Sequence, residues 1–240
     1  MCDAKACPEV TAAPNRRSFL FAALAVAVGN VAVAAEANGL PKPQNALSPD
    51  DAMKHLMEGN TRYVTGVTRR HDFAHQREAL SGGQNPYAAV LSCADSRIAP
   101  EYAFDSGRGD LFVTRVAGNI VNDDVIGSLE YAVAALTVPL ILVLGHEKCG
   151  AVDAAVKIAT KGAIYPGRIQ SLATKMLPAV HKAKGEVANL LDATIAQNVR
   201  DGIVNLRAQS AIIRGAERSG KLMIAGGVYR LATGKVDLLG

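Results

Sequence analysis

The feature that most constrains this chain is an alternation of short, strand-like apolar runs with longer segments of helical spacing. "YAAVLSC" (87–93), "DLFVTRVAG" (110–118), "PLILVLG" (139–145) and "KLMIAGGVY" (221–229) are too short for core helices. "YAAVLSC" and "PLILVLG" are also too continuous for strands with one face in water, which alternate apolar with polar. "DDVIGSLEYAVAAL" (123–136) lies between two of them and reads as a helix with acids in its first turn, where the helix dipole favours them. "GAVDAAVKIATKG" reads as a helix ending at Gly162. "RIQSLATKMLPAVHKAKG" (168–185) and the long stretch over 187–220 are helical as well. A last strand, "KVDLL" (235–239), follows a hairpin turn, "RLATGK", that contains Gly234. Strands buried on both faces and separated by helices predict an α/β fold, a mostly parallel central β-sheet flanked by helices.

Upstream, Ser48 with Asp51 three residues later forms a capping box for a helix in which Met53, Leu56 and Met57 share a face. "HDFAHQREALSGGQNP" (71–86) reads as irregular or partly helical. Before the helix, "ANGLPKPQNALSP" (37–49) has the look of a linker. Before that, "NRRSFLFAALAVAVGNVAVAAEA" sets Arg16 and Arg17 ahead of an apolar run of ten residues, 19–28. Ten is well short of the roughly 20 a membrane-spanning helix needs. Ala32/Ala34 and Ala35/Ala37 both fit an A-x-A cleavage site, and the paired arginines resemble a twin-arginine export signal. The expected organisation is an export signal over 1–37, a linker over 38–49 and one α/β domain over 50–240. The expected destination is the periplasm or the exterior, with no membrane span in the mature chain. A net charge of +4 without a basic run, no Trp and few aromatics argue against nucleic-acid binding.

In parallel sheets, ligands bind beyond the carboxyl ends of the strands. Two such ends carry reactive side chains. "YAAVLSCADSR" delivers Cys93, then Asp95 and Arg97; "PLILVLGHEKCGAV" delivers His146 and Cys149, the latter opening a helix whose N-terminus favours a thiolate. If the two strands are neighbours, Cys93, His146 and Cys149 converge as a Cys₂His set that suits zinc and leaves a fourth position open. Gly150 would allow a close backbone approach beside Cys149. Removal of the leader would also leave Cys93 and Cys149 as the sole cysteines, so a disulfide between them stands beside the zinc site as an open alternative. His71 and His75 have i,i+4 spacing but no third ligand nearby. A redox dithiol would prefer C-x-x-C, which the mature chain lacks. "HEKCG" lacks the second histidine of H-E-x-x-H. Arg97 follows Cys93 too closely for the anion cradle of a sulfurtransferase loop.

"CADSR" followed about fifty residues later by "HEKCG" resembles the β-class carbonic anhydrases. The similarity extends through "EGNTRY", "VAGNIV", "SLEYAV", "LGHEKCGAV" and "GGVYRLATGKV". The resemblance implies the β-carbonic-anhydrase fold with an N-terminal helical arm, and one zinc per subunit on Cys93, His146 and Cys149. It also implies reversible hydration of CO2 to bicarbonate and a proton. Asp95, kept ionised by Arg97, would orient the activated water, or could swing onto the metal and close the site. Gln84, Phe112 and Tyr131 match substrate-pocket positions, the aromatics coming from a partner subunit, so a homodimer or higher homo-oligomer is implied. A zinc or thiol protein without hydratase activity, and a hydrolase of CS2 or COS on the same site, are the competing readings.

Overall fold

All five apolar runs form strands: β1 (Ala88–Ser92), β2 (Leu111–Arg115), β3 (Leu140–His146), β4 (Met223–Tyr229) and β5 (Val236–Leu239). The computed structural model describes residues 47–71, 76–77, 80–185 and 188–240. The expected export signal, nearly all of the linker, and His75 lie outside the described residues. The strand order is β2-β1-β3-β4-β5. The first four strands run parallel and β5 pairs antiparallel with β4. β1 and β3 therefore lie side by side, with Ala89 opposite Ile141 and Ser92 opposite Leu144. β2 is outside β1, so the winding reverses between β1 and β3. Such a switch point opens a crevice at the carboxyl ends of the two strands.

The helices are α1 (Pro49–Thr65), α2 (Pro100–Ala103), α3 (Asp123–Ala134), α4 (Gly150–Lys161), α5 (Arg168–Thr174), α6 (Leu177–Ala183), α7 (Leu190–Gln209) and α8 (Ala211–Arg218). At the start of α1, the Asp51 N–H donates to Ser48 Oγ at 3.1 Å, and that hydroxyl donates to Asp51 Oδ2 at 2.7 Å. The long helical stretches are more divided than periodicity suggested. Pro178, in the first turn of α6, separates it from α5, since proline cannot donate to a continuing helix. Ser210 is extended between α7 and α8; its Oγ accepts from the Ile213 N–H at 3.0 Å and donates to Glu130 Oε1 at 2.6 Å. β2 is shorter than its apolar run because the chain enters a 3₁₀ turn at Ala117–Asn119.

Side-chain alternation sorts the sheet into two faces. Ala89, Leu91, Ile141 and Val143 pack against Leu129, Val133, Val199, Leu206 and Ile213 of α3, α7 and α8. Ala88, Val90, Leu140, Leu142 and Leu144 meet Ala52 and Leu56 of α1, with Phe104 and Val236.

One buried side chain ties α1 to the distant end of the chain. Asn60 Nδ2 donates to Ala103 O and to Gly234 O, each at 2.8 Å, while Oδ1 accepts from the Val236 N–H at 2.9 Å. Close approach here depends on Gly59, where an added Cβ would lie 1.9 Å from the Phe104 carbonyl oxygen. Asn60→Ala leaves three buried backbone groups unpaired, at about 1–3 kcal/mol apiece before relaxation. A loss of roughly 3 kcal/mol in urea unfolding is expected, and an unchanged midpoint would deny Asn60 this role.

Candidate metal centre

β1 ends at Ser92, so Cys93 is the first residue beyond it; β3 ends on His146 itself, and three residues later Cys149 is the N-cap of α4. The parallel pairing of β1 with β3 places these side chains together. One ligand atom from each of Cys93, His146 and Cys149 lies within 4.8 Å of the others, and all three residues are buried. The two Sγ atoms are 3.9 Å apart and both thiols are free.

The donor set fits zinc on geometry and on chemistry. Tetrahedral zinc with bonds near 2.3 Å to sulfur holds two thiolates about 3.8 Å apart. His146 is fully buried, and its Nδ1 donates to Glu147 O at 2.9 Å, which leaves the Nε2 lone pair for a metal. That Nε2 has no hydrogen-bond partner among the described residues, an arrangement a buried imidazole tolerates when a metal completes it. Thiolate and imidazole are ligands that zinc accepts well.

The two thiols influence each other's ionisation through the contact between their sulfurs. The hydrogen bond with Cys149 pulls the Cys93 thiol far below its usual range, and the same bond, aided by burial, pushes Cys149 upward. A metal must displace any proton they keep, since it takes both sulfurs as thiolates.

Asp95 stands at the rim. Its Oδ1 accepts from the Arg97 Nε and backbone N–H, both at 2.9 Å, and Oδ2 accepts from Arg97 Nη2 at 2.7 Å. This fork holds the carboxyl well below the usual carboxylate range. The pair forms through a turn, closed by the Ile98 N–H donating to Asp95 O at 3.3 Å. Asp95 Oδ2 points toward the metal-binding ring, 3.9 Å from His146 Nε2. Arg97 also donates to Lys148 O at 3.3 Å, which bridges the two strand-end loops.

The remaining expected residues lie elsewhere within this chain. Gln84 is exposed in the segment before β1. Phe112 sits opposite Ala89, three registers before the Ser92–Arg115 pair, so about 10 Å up the strand from the site. It pairs with Tyr131 of α3, ring centroids 6.2 Å apart, and Tyr131 is 52% exposed. Gly150 is not required for a close backbone approach, since an added Cβ meets nothing within 4 Å. His71 faces Asp105, with Nε2 3.6 Å from Oδ1, in a cluster with Arg62.

Sequence reasoning missed the side chains that shape the loops. Arg115, the last residue of β2, donates to Cys93 O at 2.9 Å, to Asp95 O at 2.7 Å and to Ile98 O at 2.9 Å. Its signal was a lone arginine ending an apolar strand. Asn198 was another, a buried amide on the apolar face of α7. An apolar shell of Ile120, Val152, Ala155, Met176, Val180, Ile195 and Val228 encloses the two cysteines.

A family model described as carbonic anhydrase matches residues 88–236. The chain is 38% identical over 192 residues to carbonic anhydrase 2 of Mycobacterium tuberculosis, covering 80% of this chain and 93% of that one. It is 32% identical over 194 residues to a carbonic anhydrase of Synechococcus elongatus, covering 77% and 70%. Among solved structures, a β-carbonic anhydrase of Coccomyxa in complex with acetazolamide superimposes with TM-score 0.60 at 28% identity, covering 79% of this chain and 82% of that one. Tetrameric β-carbonic anhydrases from the ascomycete Sordaria macrospora give TM-score 0.63 at 25% identity, with 79% and 98% covered.

Arg115→Ala removes three hydrogen bonds from the loop that carries Cys93 and Asp95. Zinc affinity in a chelator competition is expected to fall about 10–100-fold, as is usual when supports of metal ligands are lost. Wild-type affinity would show that the loop holds its shape unaided.

Proposed function

The chain belongs to the β-class carbonic anhydrase family, and from that premise we propose that it catalyses the reversible hydration of CO2 to bicarbonate and a proton. Cys93, His146 and Cys149 would hold one zinc ion per subunit. The observation that carries this reading is their convergence around a buried histidine nitrogen with no other partner among the described residues. Bound zinc supplies Lewis acidity, lowering the pKa of a coordinated water from ~15.7 toward ~7. Two thiolates donate more charge than imidazoles do, so the rest of the site has to supply positioning.

Asp95 is the residue proposed to give it. Held ionised by Arg97, its Oδ2 accepts a hydrogen bond from the attacking water and turns a lone pair toward CO2. The apolar shell around the cysteines limits competing water and strengthens each polar contact inside it. CO2 is itself apolar and suits a small dry cavity with one amide donor. Gln84 is proposed as that donor, with Phe112 and Tyr131 as the aromatic wall, the aromatics reaching the site of a second subunit. The exposure of Tyr131, Val204 and Ile212 supports a homo-oligomer, as does the tetrameric state of the Sordaria relatives. No helix among the described residues is long and apolar enough to cross a membrane. The paired Arg16–Arg17 and the apolar run after it support export in a folded, metal-loaded state, in which zinc protects the thiols from oxidation.

Zinc content and CO2-hydration rate measured together on the exported protein test the proposal. About one zinc per chain and rapid hydration are expected. Asp95→Asn is expected to keep the metal and lose on the order of 10²-fold or more in kcat, in line with loss of a proton-handling group. Gln84→Ala is expected to lower kcat/KM, and an unchanged rate would remove its role. A metal-free protein with Cys93 joined to Cys149 would overturn the reading, and preferential turnover of CS2 or COS would reassign the substrate.

A further inference from the structure

A buried hydrogen-bond relay ends on one of the three metal-binding side chains. Asn198 lies on the apolar face of α7 among Ile195, Val199 and Leu206, and is only 8% exposed. Its Nδ2 donates to Gly118 O at 2.8 Å. The Gly118 N–H in turn donates to Cys93 Sγ at 3.3 Å. A buried amide is costly unless paired. The partner Asn198 reaches is not a helix end or a sheet edge; it is the residue whose N–H touches a metal-binding sulfur.

Gly118 is gripped from several directions. Its φ of 72° is in the left-handed region, and an added Cβ would lie 2.5 Å from Met176 Sδ and 3.3 Å from Ala151 Cβ. The next residue closes the turn, its N–H donating to Val116 O at 2.8 Å. The Gly118 N–H and C=O belong to different peptide groups, so the Asn198 bond acts on position rather than on polarity. It fixes the direction in which the N–H points.

We propose that Asn198 is a positioning residue that, through the Gly118 amide, sets how much charge Cys93 donates to the bound metal. A hydrogen bond to a thiolate draws electron density toward the donor, so the sulfur becomes a weaker ligand and the metal a stronger Lewis acid. A site with two thiolates gains most from such restraint. The relay rests on the zinc reading of Cys93, His146 and Cys149 and assigns a new residue to it.

The test uses the full chain loaded with cobalt(II), whose thiolate-to-metal charge-transfer bands report sulfur donation directly. Asn198→Ala and Asn198→Ser are expected to move those bands to longer wavelength and, because a thiolate relieved of that bond holds metal more tightly, to release zinc to a chelator more slowly. Asn205→Ala, an exposed position on the same helix, is expected to leave both at wild-type values. A second measurement needs no variant. In the unaltered chain loaded with NMR-active cadmium and with labelled glycine amides, the Gly118 amide proton is expected to show scalar coupling to the metal through Cys93. Absence of that coupling, or folded Asn198 variants with wild-type bands and zinc release, overturns the relay while leaving the metal site standing. Failure of the wild-type chain to take up cobalt overturns the metal reading and the relay together.

Discussion

The parallel pairing of β1 with β3 is the constraint on which everything else depends. Cys93 and His146 are separated by a strand, two helices and their loops, yet the backbone bonds between Ala89–Ser92 and Ile141–Leu144 bring their strand ends into adjacent positions. Neighbouring strands lie about 4.8 Å apart, close to the spacing two ligands of one ion require. Because both strands point the same way, both deliver their last residues to the same rim of the sheet. An antiparallel pair would have sent Cys93 and His146 to opposite ends.

Around that rim the protein supports backbone at least as much as it supports side chains. Arg115 gathers carbonyls of the loop after β1, the Glu147 carbonyl fixes the His146 ring, and Gly118 offers its N–H to sulfur. The Glu147 N–H donates to Tyr229 O at 2.9 Å, so β4 steadies the loop after β3 as well. The elements that hold the site are those that build the core, and the ligands inherit the rigidity of the sheet. Asp95 is the exception. Its side chain is held by an exposed arginine within its own turn, although its backbone carbonyl is among those that Arg115 gathers.

Much of this was legible in the sequence, for identifiable reasons. Continuous apolar runs mark strands buried on both faces, and β1 and β3 are buried at every position. Ligand-type residues directly after such runs mark strand ends, so Cys93, His146 and Cys149 could be named before any geometry was known. What could not be read locally was adjacency: nothing in "YAAVLSC" or "PLILVLG" says which strand lies beside which, and here the family resemblance carried the inference. Division of the long helical stretches was hidden as well, because Ser210 is an ordinary helix residue until its hydroxyl finds Glu130 and Ile213. Arg115 and Asn198 escaped notice because they act on backbone atoms far along the chain, and such partnerships leave no periodic trace.

The asparagine that ties α1 to the last hairpin also bears on when the molecule can be finished. Its bond to the Val236 N–H joins residues 176 positions apart, a loop that closes late during synthesis, after nearly every other contact has become available. Until β5 leaves the ribosome, the buried Asn60 amide of α1 has the Ala103 carbonyl alone and lacks its bonds to Gly234 and Val236, so the helix docks more loosely. Chains that stop short of β5 would thus betray themselves far from the break, as a loose α1 open to proteases, while the four parallel strands, with Cys93 and His146 at their ends, are already in place.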